Sequence, residues 1–84
     1  MSQEQQAQPG ETYVVIGHNY WGRGATLDEA KQNFTKQGGR LSKGYRVFIF
    51  GVDSEFRGVD EMGYVHWTGG EPEIEEHSPR RTRV

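Results

Sequence analysis

The 84-residue chain contains no cysteine, and that absence removes several kinds of chemistry at once. Disulfide bonds, thiolate catalysis and cysteine-based zinc sites are all excluded. The three histidines do not supply a zinc site instead, because none stands with a second ligand at the spacing that zinc requires. The serines lie in no recognised nucleophile motif. The sequence therefore predicts no catalytic residue, no metal and no cofactor, and we expect that the protein is not an enzyme.

Long apolar runs are also absent from the sequence. No stretch approaches the ~20 apolar residues that a membrane-spanning helix needs. The N-terminus lacks the basic and then apolar pattern of a secretion signal. We therefore expect a cytoplasmic protein with no membrane partner.

Hydrophobic residues are scarce at both ends of the chain. Residues 1–11 are mostly Gln, Glu, Ser and Pro, and residues 69–84 hold Ile74 and Val84 as their only large aliphatic side chains. Such segments bury too little apolar area to offset the entropy of ordering them. We therefore predict disordered tails at 1–11 and 69–84 around a single small domain at 12–68.

A helix is predicted between Thr26 and the pair Gly38-Gly39. Thr26 is a good N-cap, and Glu29 completes a capping box three residues later. The glycine pair permits the left-handed backbone with which many helices end. The apolar residues of this helix form one narrow stripe at helical spacing: Leu27, Ala30 and Phe34.

Four further segments have the β-branched and aromatic composition of strands. They are residues 13–18, 45–52, 56–59 and 63–68, of which the third is short. With the helix, these segments follow the order β-α-β-(β)-β. We therefore predict an α+β fold in which one helix packs on a small three- to four-stranded sheet.

The segment between the first strand and the helix is rich in glycine, as in many phosphate-binding loops. Gly17 and Gly22 have the P-loop spacing, but Arg23 and Gly24 stand where that motif needs Lys and then Ser or Thr. The helix start is also acidic and capped by its own side chains. We predict that ATP and dinucleotides do not bind, and that the glycines serve to reverse the chain.

The same segment holds two adjacent aromatic residues, Tyr20 and Trp21, beside Arg23. Exposed aromatic rings next to a cation can stack on a base or a sugar, or contact a protein partner. The alternative is that one of the two rings folds back over the end of the small core. We select all three residues as candidates for partner binding.

Charges are sorted along the chain, although the net charge is only −2. The stretch that begins at Lys31 and ends at Arg46 is basic and contains no acid. If this stretch binds nucleic acid, its candidate contacts are Lys36, Arg40, Lys43 and Arg46. The alternative is a solvated helix face, because acidic segments lie nearby and no recognised nucleic-acid motif accompanies the basic residues.

The strand predicted at 45–52 is apolar on both of its faces. One face carries Tyr45, Val47 and Ile49, and the other carries Phe48, Phe50 and Val52. Such a strand needs cover on both faces, whereas a single narrow helix covers only one. We therefore predict that whichever of the two faces lies opposite the helix is uncovered and contacts a partner, and we select Phe48 and Phe50 as candidate contacts.

Three stretches carry a resemblance to a known class of proteins: Tyr13-Val-Val-Ile-Gly, Trp21-Gly-Arg-Gly-Ala-Thr-Leu-Asp-Glu-Ala, and Phe34 with Gly38-Gly39. In these stretches the chain resembles small uncharacterised proteins encoded by bacteriophages of actinobacteria. The resemblance covers residues 13 to 67 and brings no established activity or site residue. It implies an early accessory protein that acts in the host cytoplasm by binding rather than by catalysis.

Two functional hypotheses follow. The first is a non-enzymatic protein-interaction module that binds a second copy of itself, as a homodimer, or a host protein. Its candidate contacts are Tyr20, Trp21, Arg23, Phe48 and Phe50. The alternative is a nucleic-acid-binding accessory protein that uses the basic stretch together with the loop aromatics.

Overall fold

Six strands and one helix account for most of residues 11–78, the part of the chain that the computed structural model describes. In chain order they are β1 (Thr12–Ile16), β2 (Trp21–Gly24), α1 (Leu27–Lys36), β3 (Tyr45–Phe50), β4 (Ser54–Val59), β5 (Val65–Gly69) and β6 (Glu73–His77). A 3₁₀ turn, Leu41–Lys43, separates α1 from β3.

Four of the strands form one antiparallel sheet in the order β2-β1-β3-β6, and β4 and β5 form a separate antiparallel hairpin. Strands β1 and β3 are central, and β2 and β6 are the two edges. The predicted α+β class is confirmed. The strand number is larger than predicted, because β2 and β6 lie in segments that the sequence assigned to a loop and to a tail.

Helix α1 packs on one face of the four-stranded sheet, mainly over β2 and β1. Its apolar stripe is placed as predicted, since Ala30 and Phe34 are buried in one cluster with Val15 and Val47. Leu41, from the following 3₁₀ turn, packs against the same cluster. The helix has ten residues, and within residues 11–78 no helix is long and apolar enough to cross a membrane.

Both ends of α1 are closed in the predicted way. Thr26 Oγ1 accepts the Glu29 backbone N–H at 3.1 Å. The Glu29 carboxylate accepts the N–H of Ala25 at 2.9 Å, one residue before the position that a standard capping box uses. At the other end Gly38 has a φ of +117°, and the Gly39 N–H donates to the Phe34 carbonyl at 3.0 Å. The positive φ of Gly38 and the bond from Gly39 to Phe34 are those of the Schellman arrangement at a helix C-terminus.

The β4–β5 hairpin covers the opposite face of the sheet. Side chains from both layers form a second buried cluster: Val14, Ile16, Phe48, Phe50 and Phe56. Phe50 is 0% exposed and Phe48 is 7% exposed. The prediction that this face is open to a partner through Phe48 and Phe50 is therefore wrong. The physical reason is that the short strands predicted after β3 leave the main sheet and fold over it as a separate layer.

The glycine-rich segment is a hairpin rather than a loop that leads into the helix. Residues 17–20 make the turn, in which the Gly17 N–H donates to the Tyr20 carbonyl at 2.9 Å. Strand β2 then returns along β1, with Trp21 opposite Ile16 and Gly24 opposite Tyr13. The prediction that the glycines reverse the chain is correct for Gly17, but Gly22 and Gly24 lie within a strand.

Strand β6 lies in the segment that the sequence assigned to a disordered tail. Its five residues pair with β3 in antiparallel register, with Ile74 opposite Phe48. The predicted domain end at residue 68 is therefore too early. Residues 1–10 and 79–84, which belong to the two predicted tails, lie outside the described residues.

Candidate functional site

The three residues of the glycine-rich segment that were selected for partner binding have separate environments. Tyr20 is 42% exposed, and its ring lies against Gly38 at the end of α1. Trp21 is half-buried, with its ring edge-to-face with Phe56 at 5.4 Å between centroids. The Arg23 guanidinium lies 5.2 Å from the centroid of the same Phe56 ring. Trp21 and Arg23 therefore help to close the core between sheet and hairpin, and Tyr20 is the residue of the three that presents a ring to solvent.

Three of the four basic candidates are neighbours, since Lys43 lines one groove with Arg40 and a second groove with Arg46, whereas Lys36 lines neither. Arg40 and Lys43 are exposed beside the 3₁₀ turn, close to the 17–20 turn, whereas Lys36 lies in the last turn of α1. Arg46 is on β3, where its Nε lies 2.8 Å from Glu76 Oε2 of β6. This ion pair is exposed, so it contributes little stability, but it offsets the charge of Arg46.

An open groove of about 570 Å³ lies at the end of the molecule where the 17–20 turn meets the 3₁₀ turn. Its polar and charged lining comes from His18, Asn19, Tyr20, Arg40 and Lys43, and no carboxylate is among its lining residues. The groove therefore joins one exposed aromatic ring with two cations. Those are the components that a single-stranded nucleic acid needs for stacking and phosphate contact.

A second surface lies on the helix side of the sheet, at the border of the area that α1 covers, and includes residues of β1, β3 and β6. Residues that stand opposite each other on neighbouring strands show where the helix stops covering the sheet. Val15 and Val47 are buried under the helix, whereas Glu75, which stands opposite Val47, is exposed. We call this area the β3–β6 surface, and its residues are Tyr13, Tyr45, Ile49, Glu73 and Glu75. The first three are half-buried and the two glutamates are exposed.

The β3–β6 surface combines apolar area with negative charge. Burial raises the pKa of the Tyr13 hydroxyl, and the nearby carboxylates of Glu11, Glu73 and Glu75 raise it further. The Tyr13 hydroxyl also donates to Glu11 at 3.3 Å. Three carboxylates therefore lie around one phenol on this part of the sheet.

Aromatic contacts fix the orientation of the residues at the end of this surface. The rings of Tyr45 and His77 stack with their centroids 4.6 Å apart and their planes 5° from parallel. Lys31 of α1 extends its ammonium to 5.8 Å from the centroid of the Tyr45 ring. His77 Nε2 lies 3.4 Å from Glu75 Oε1. Tyr45 is therefore held between the helix and β6.

All five residues of β6 are exposed, although the strand is fully paired with β3 on one side. Neither the helix nor the hairpin covers it, and Ile74 remains 52% exposed on the hairpin side. Sequence reasoning missed this strand and, with it, the glutamates of the β3–β6 surface. Ile74 between glutamates was the available signal, and it is too weak to separate an edge strand from a charged tail.

The turn of the β4–β5 hairpin is organised by one carboxylate. Asp60 Oδ1 accepts the backbone N–H groups of Met62 and Tyr64, each at 2.9 Å. Asp60 Oδ2 lies 2.8 Å from His66 Nε2. The His66 contact, followed by the Tyr64 and Met62 N–H groups, lowers the pKa of Asp60. Asp60 is thus a structural residue of the turn.

The arrangement offers two candidate binding areas, the groove and the β3–β6 surface. Within the described part of the chain, no group of three or more His, Asp or Glu side chains is placed to hold a metal ion. Comparison with protein-family models, with curated proteins and with solved structures finds no match to this chain.

Proposed function

We propose that this protein is a non-enzymatic protein-interaction module that binds a protein partner through the β3–β6 surface. The observation that carries the proposal is the incomplete cover of the sheet. Val15 and Val47 are fully buried under the helix, Tyr45 and Ile49 pack half-buried against the edge of the same cluster, and the surface continues to a strand that is exposed on both faces. An apolar and aromatic area beside an open strand is typical of a binding surface.

The partner is a different protein rather than a second copy of this chain. In an antiparallel pair of two β6 strands, glutamates would stand opposite or diagonal to glutamates. Like charges across a strand pair are destabilising. The resemblance to actinobacteriophage proteins supports an accessory protein that binds a host protein in the host cytoplasm.

A pull-down with matched charge variants tests this function. The bait is the full chain, and the test variant is Glu73→Lys/Glu75→Lys, which reverses the charge of the surface without touching a buried residue. The control is Glu55→Lys/Glu61→Lys, which reverses two exposed carboxylates of the hairpin. We expect a host protein that the wild type and the control retain and that the test variant loses.

Circular dichroism and thermal melts must first show that both variants fold. If the folded test variant retains the same proteins as the wild type, the β3–β6 surface is not the binding surface and the proposal is wrong.

The groove favours nucleic-acid binding as a second candidate function. Its lining brings Tyr20, Arg40 and Lys43 together without a carboxylate. The test is the salt dependence of binding to a single-stranded oligonucleotide. If Arg40 and Lys43 each contact a phosphate, Arg40→Gln/Lys43→Gln should reduce the slope of log K against log salt by about 1.4, since each contact to a single strand contributes about 0.7.

Arg57→Gln is the matched control for this experiment, because Arg57 is an exposed cation on β4, away from the groove. It should leave the slope unchanged. Equal slopes for the wild type and the double variant would exclude the groove as a phosphate-binding site.

A further inference from the structure

We propose that the partner supplies an extended basic segment that adds to the free edge of β6 as a fifth strand of the sheet. This inference rests on the proposed function and names the chemistry of its partner. It is carried by three features of the sheet: the open backbone edge of β6, the alternation of its side chains, and the closure of the opposite edge.

The backbone edge of β6 is open in the described structure. The strand has β3 as its single neighbour, so alternate N–H and C=O groups on its other side face away from the sheet. An extended peptide that lies along this edge pairs with those groups, as in other cases of strand addition. Since β6 is exposed on both faces, no helix or loop within residues 11–78 has to move before the peptide can bind.

The opposite edge of the sheet, β2, is closed by the helix. α1 lies against β2, and the Asn33 side-chain amide donates to the Arg23 carbonyl at 2.7 Å. That bond occupies a backbone acceptor of the strand. The two edges therefore differ, and β6 is the edge that admits a partner.

The side chains of β6 specify what kind of strand fits. Glu73 and Glu75 point to the helix side, where Glu11 adds a third carboxylate near Tyr13. Ile74 is on the hairpin side, opposite Phe48 and half-exposed. Glu76, also on the hairpin side, is already paired with Arg46. An incoming strand with Lys or Arg at alternate positions places its cations beside Glu73 and Glu75 and an apolar residue beside Ile74. Directly opposed pairs of this kind stabilise a strand pair, whereas an acidic strand would be repelled.

The test uses a defined peptide and the full chain. The probe is an acetylated and amidated hexapeptide of alternating Lys and Val, added to isotope-labelled protein and followed by NMR chemical shifts. We expect saturable shifts that are largest at the amides of β6. The matched peptide with Glu in place of Lys should bind roughly tenfold more weakly or worse, because two favourable cross-strand pairs become repulsive.

Two controls separate strand addition from simple charge attraction. The same Lys-Val peptide with alternate backbone amides N-methylated keeps its charge but cannot complete the ladder, so we expect its binding to be lost. In Glu73→Lys/Glu75→Lys the preference should reverse, so that the Glu-Val peptide binds and the Lys-Val peptide does not. Equal binding of the methylated and parent peptides, or an unchanged preference in the variant, would overturn the inference.

The failure of this inference is distinguishable from failure of the proposed function. If Glu73→Lys/Glu75→Lys loses the host partner but the Lys-Val peptide leaves the β6 amides unshifted, the binding surface is correct and the strand-addition inference is wrong. If sedimentation shows concentration-dependent dimers that this variant changes, the occupant of the edge is a second copy, and the basic-segment inference is again overturned.

Discussion

At Gly22 and Gly24 the lack of a side chain lets helix α1 lie directly on strand β2. A Cβ atom at Gly22 would collide with the backbone of Phe34, and one at Gly24 would lie 2.6 Å from Glu29 Cβ. Backbone cannot move aside as a flexible side chain can. These two glycines therefore set the distance between the helix and the sheet, and this role requires no unusual dihedral angle.

Gly22→Ala should destabilise the domain by about 1–3 kcal/mol, because the added methyl forces the helix away from β2. The change in the midpoint of urea unfolding measures this effect. Gly51→Ala is the matched control, since a Cβ there would make only an ordinary contact with the Asp53 side chain. If the two alanine variants unfold at the same midpoint, the close approach of helix and strand is not a constraint on stability.

Thr26→Ala should cost about 1 kcal/mol, because it removes the side-chain acceptor for the Glu29 N–H. Denaturant unfolding again measures this loss of stability. Thr35→Ala, a threonine replaced within the exposed part of the same helix, controls for general effects of the substitution and should be neutral or slightly stabilising. If the unfolding curves of Thr26→Ala and Thr35→Ala are indistinguishable, the Thr26 cap does not contribute to stability.

At the scale of single elements, the β4–β5 hairpin depends on the ionised state of Asp60. Its pKa lies below the ordinary value because hydrogen bonds favour the carboxylate, first from His66 of β5 and then from the Tyr64 and Met62 N–H groups of the turn. The resulting stabilisation is complete above the unfolded-state pKa of about 3.9 and is lost as the pH falls through the lower folded-state value.

Asp60→Asn should therefore lower stability near neutral pH, and the difference from the wild type should shrink as the pH falls below about 4. Urea midpoints measured across the acid range test this prediction. Glu61→Gln removes a carboxylate from the same turn and serves as the control. A wild-type advantage over Asp60→Asn that persists unchanged into strong acid would show that the Asp60 charge does not stabilise the turn.

The elements differ in how well sequence alone predicts them. Helix α1 and strand β3 were predicted because their signals are local: a cap and a glycine exit for the helix, aromatic and β-branched residues for the strand. Strand β2 was missed because Gly22 and Gly24 look like breakers until the helix that they accommodate is known. Strand β6 was missed because its glutamates favour solvent, and its pairing with β3 is a tertiary contact.

The candidate site was predicted less completely than the fold. Sequence reasoning showed correctly that β3 is apolar on both faces, and it named both faces as candidates for the open one. It could not show that residues 54–69 form a covering layer, since the same strand pattern also fits a continuous sheet. Phe48 and Phe50 were therefore misassigned, whereas Tyr45 and Ile49 do remain partly uncovered.

At the scale of the whole molecule, the sheet is a middle layer between a helix and a hairpin. Each interface is small, and each is filled by a few large side chains that come from both layers. In a domain of this size the net stability is only about 5 kcal/mol. The free energy lost on removing one central side chain is thus comparable with the whole net stability of the domain.

Phe50→Ala should unfold most of the population or lower stability by about 3–5 kcal/mol, because Phe50 is 0% exposed at the centre of the sheet–hairpin interface. Val52→Ala, two residues later and 81% exposed, should be near neutral. Near-ultraviolet circular dichroism and denaturant melts report both. A stable, folded Phe50→Ala protein would show that the hairpin does not pack on the sheet as described.

Strand β6 also covers one edge of a segment that has the composition of an aggregation-prone strand. The β3 segment Tyr45–Phe50 has six residues of high β-propensity, one charge, and neither proline nor glycine, which is the composition of a cross-β spine. β1 occupies one side of it and the glutamate-rich β6 the other. Detachment of β6 would expose that edge to identical segments of other molecules. We therefore expect the acidic strand to protect β3 against amyloid assembly, whatever partner it binds.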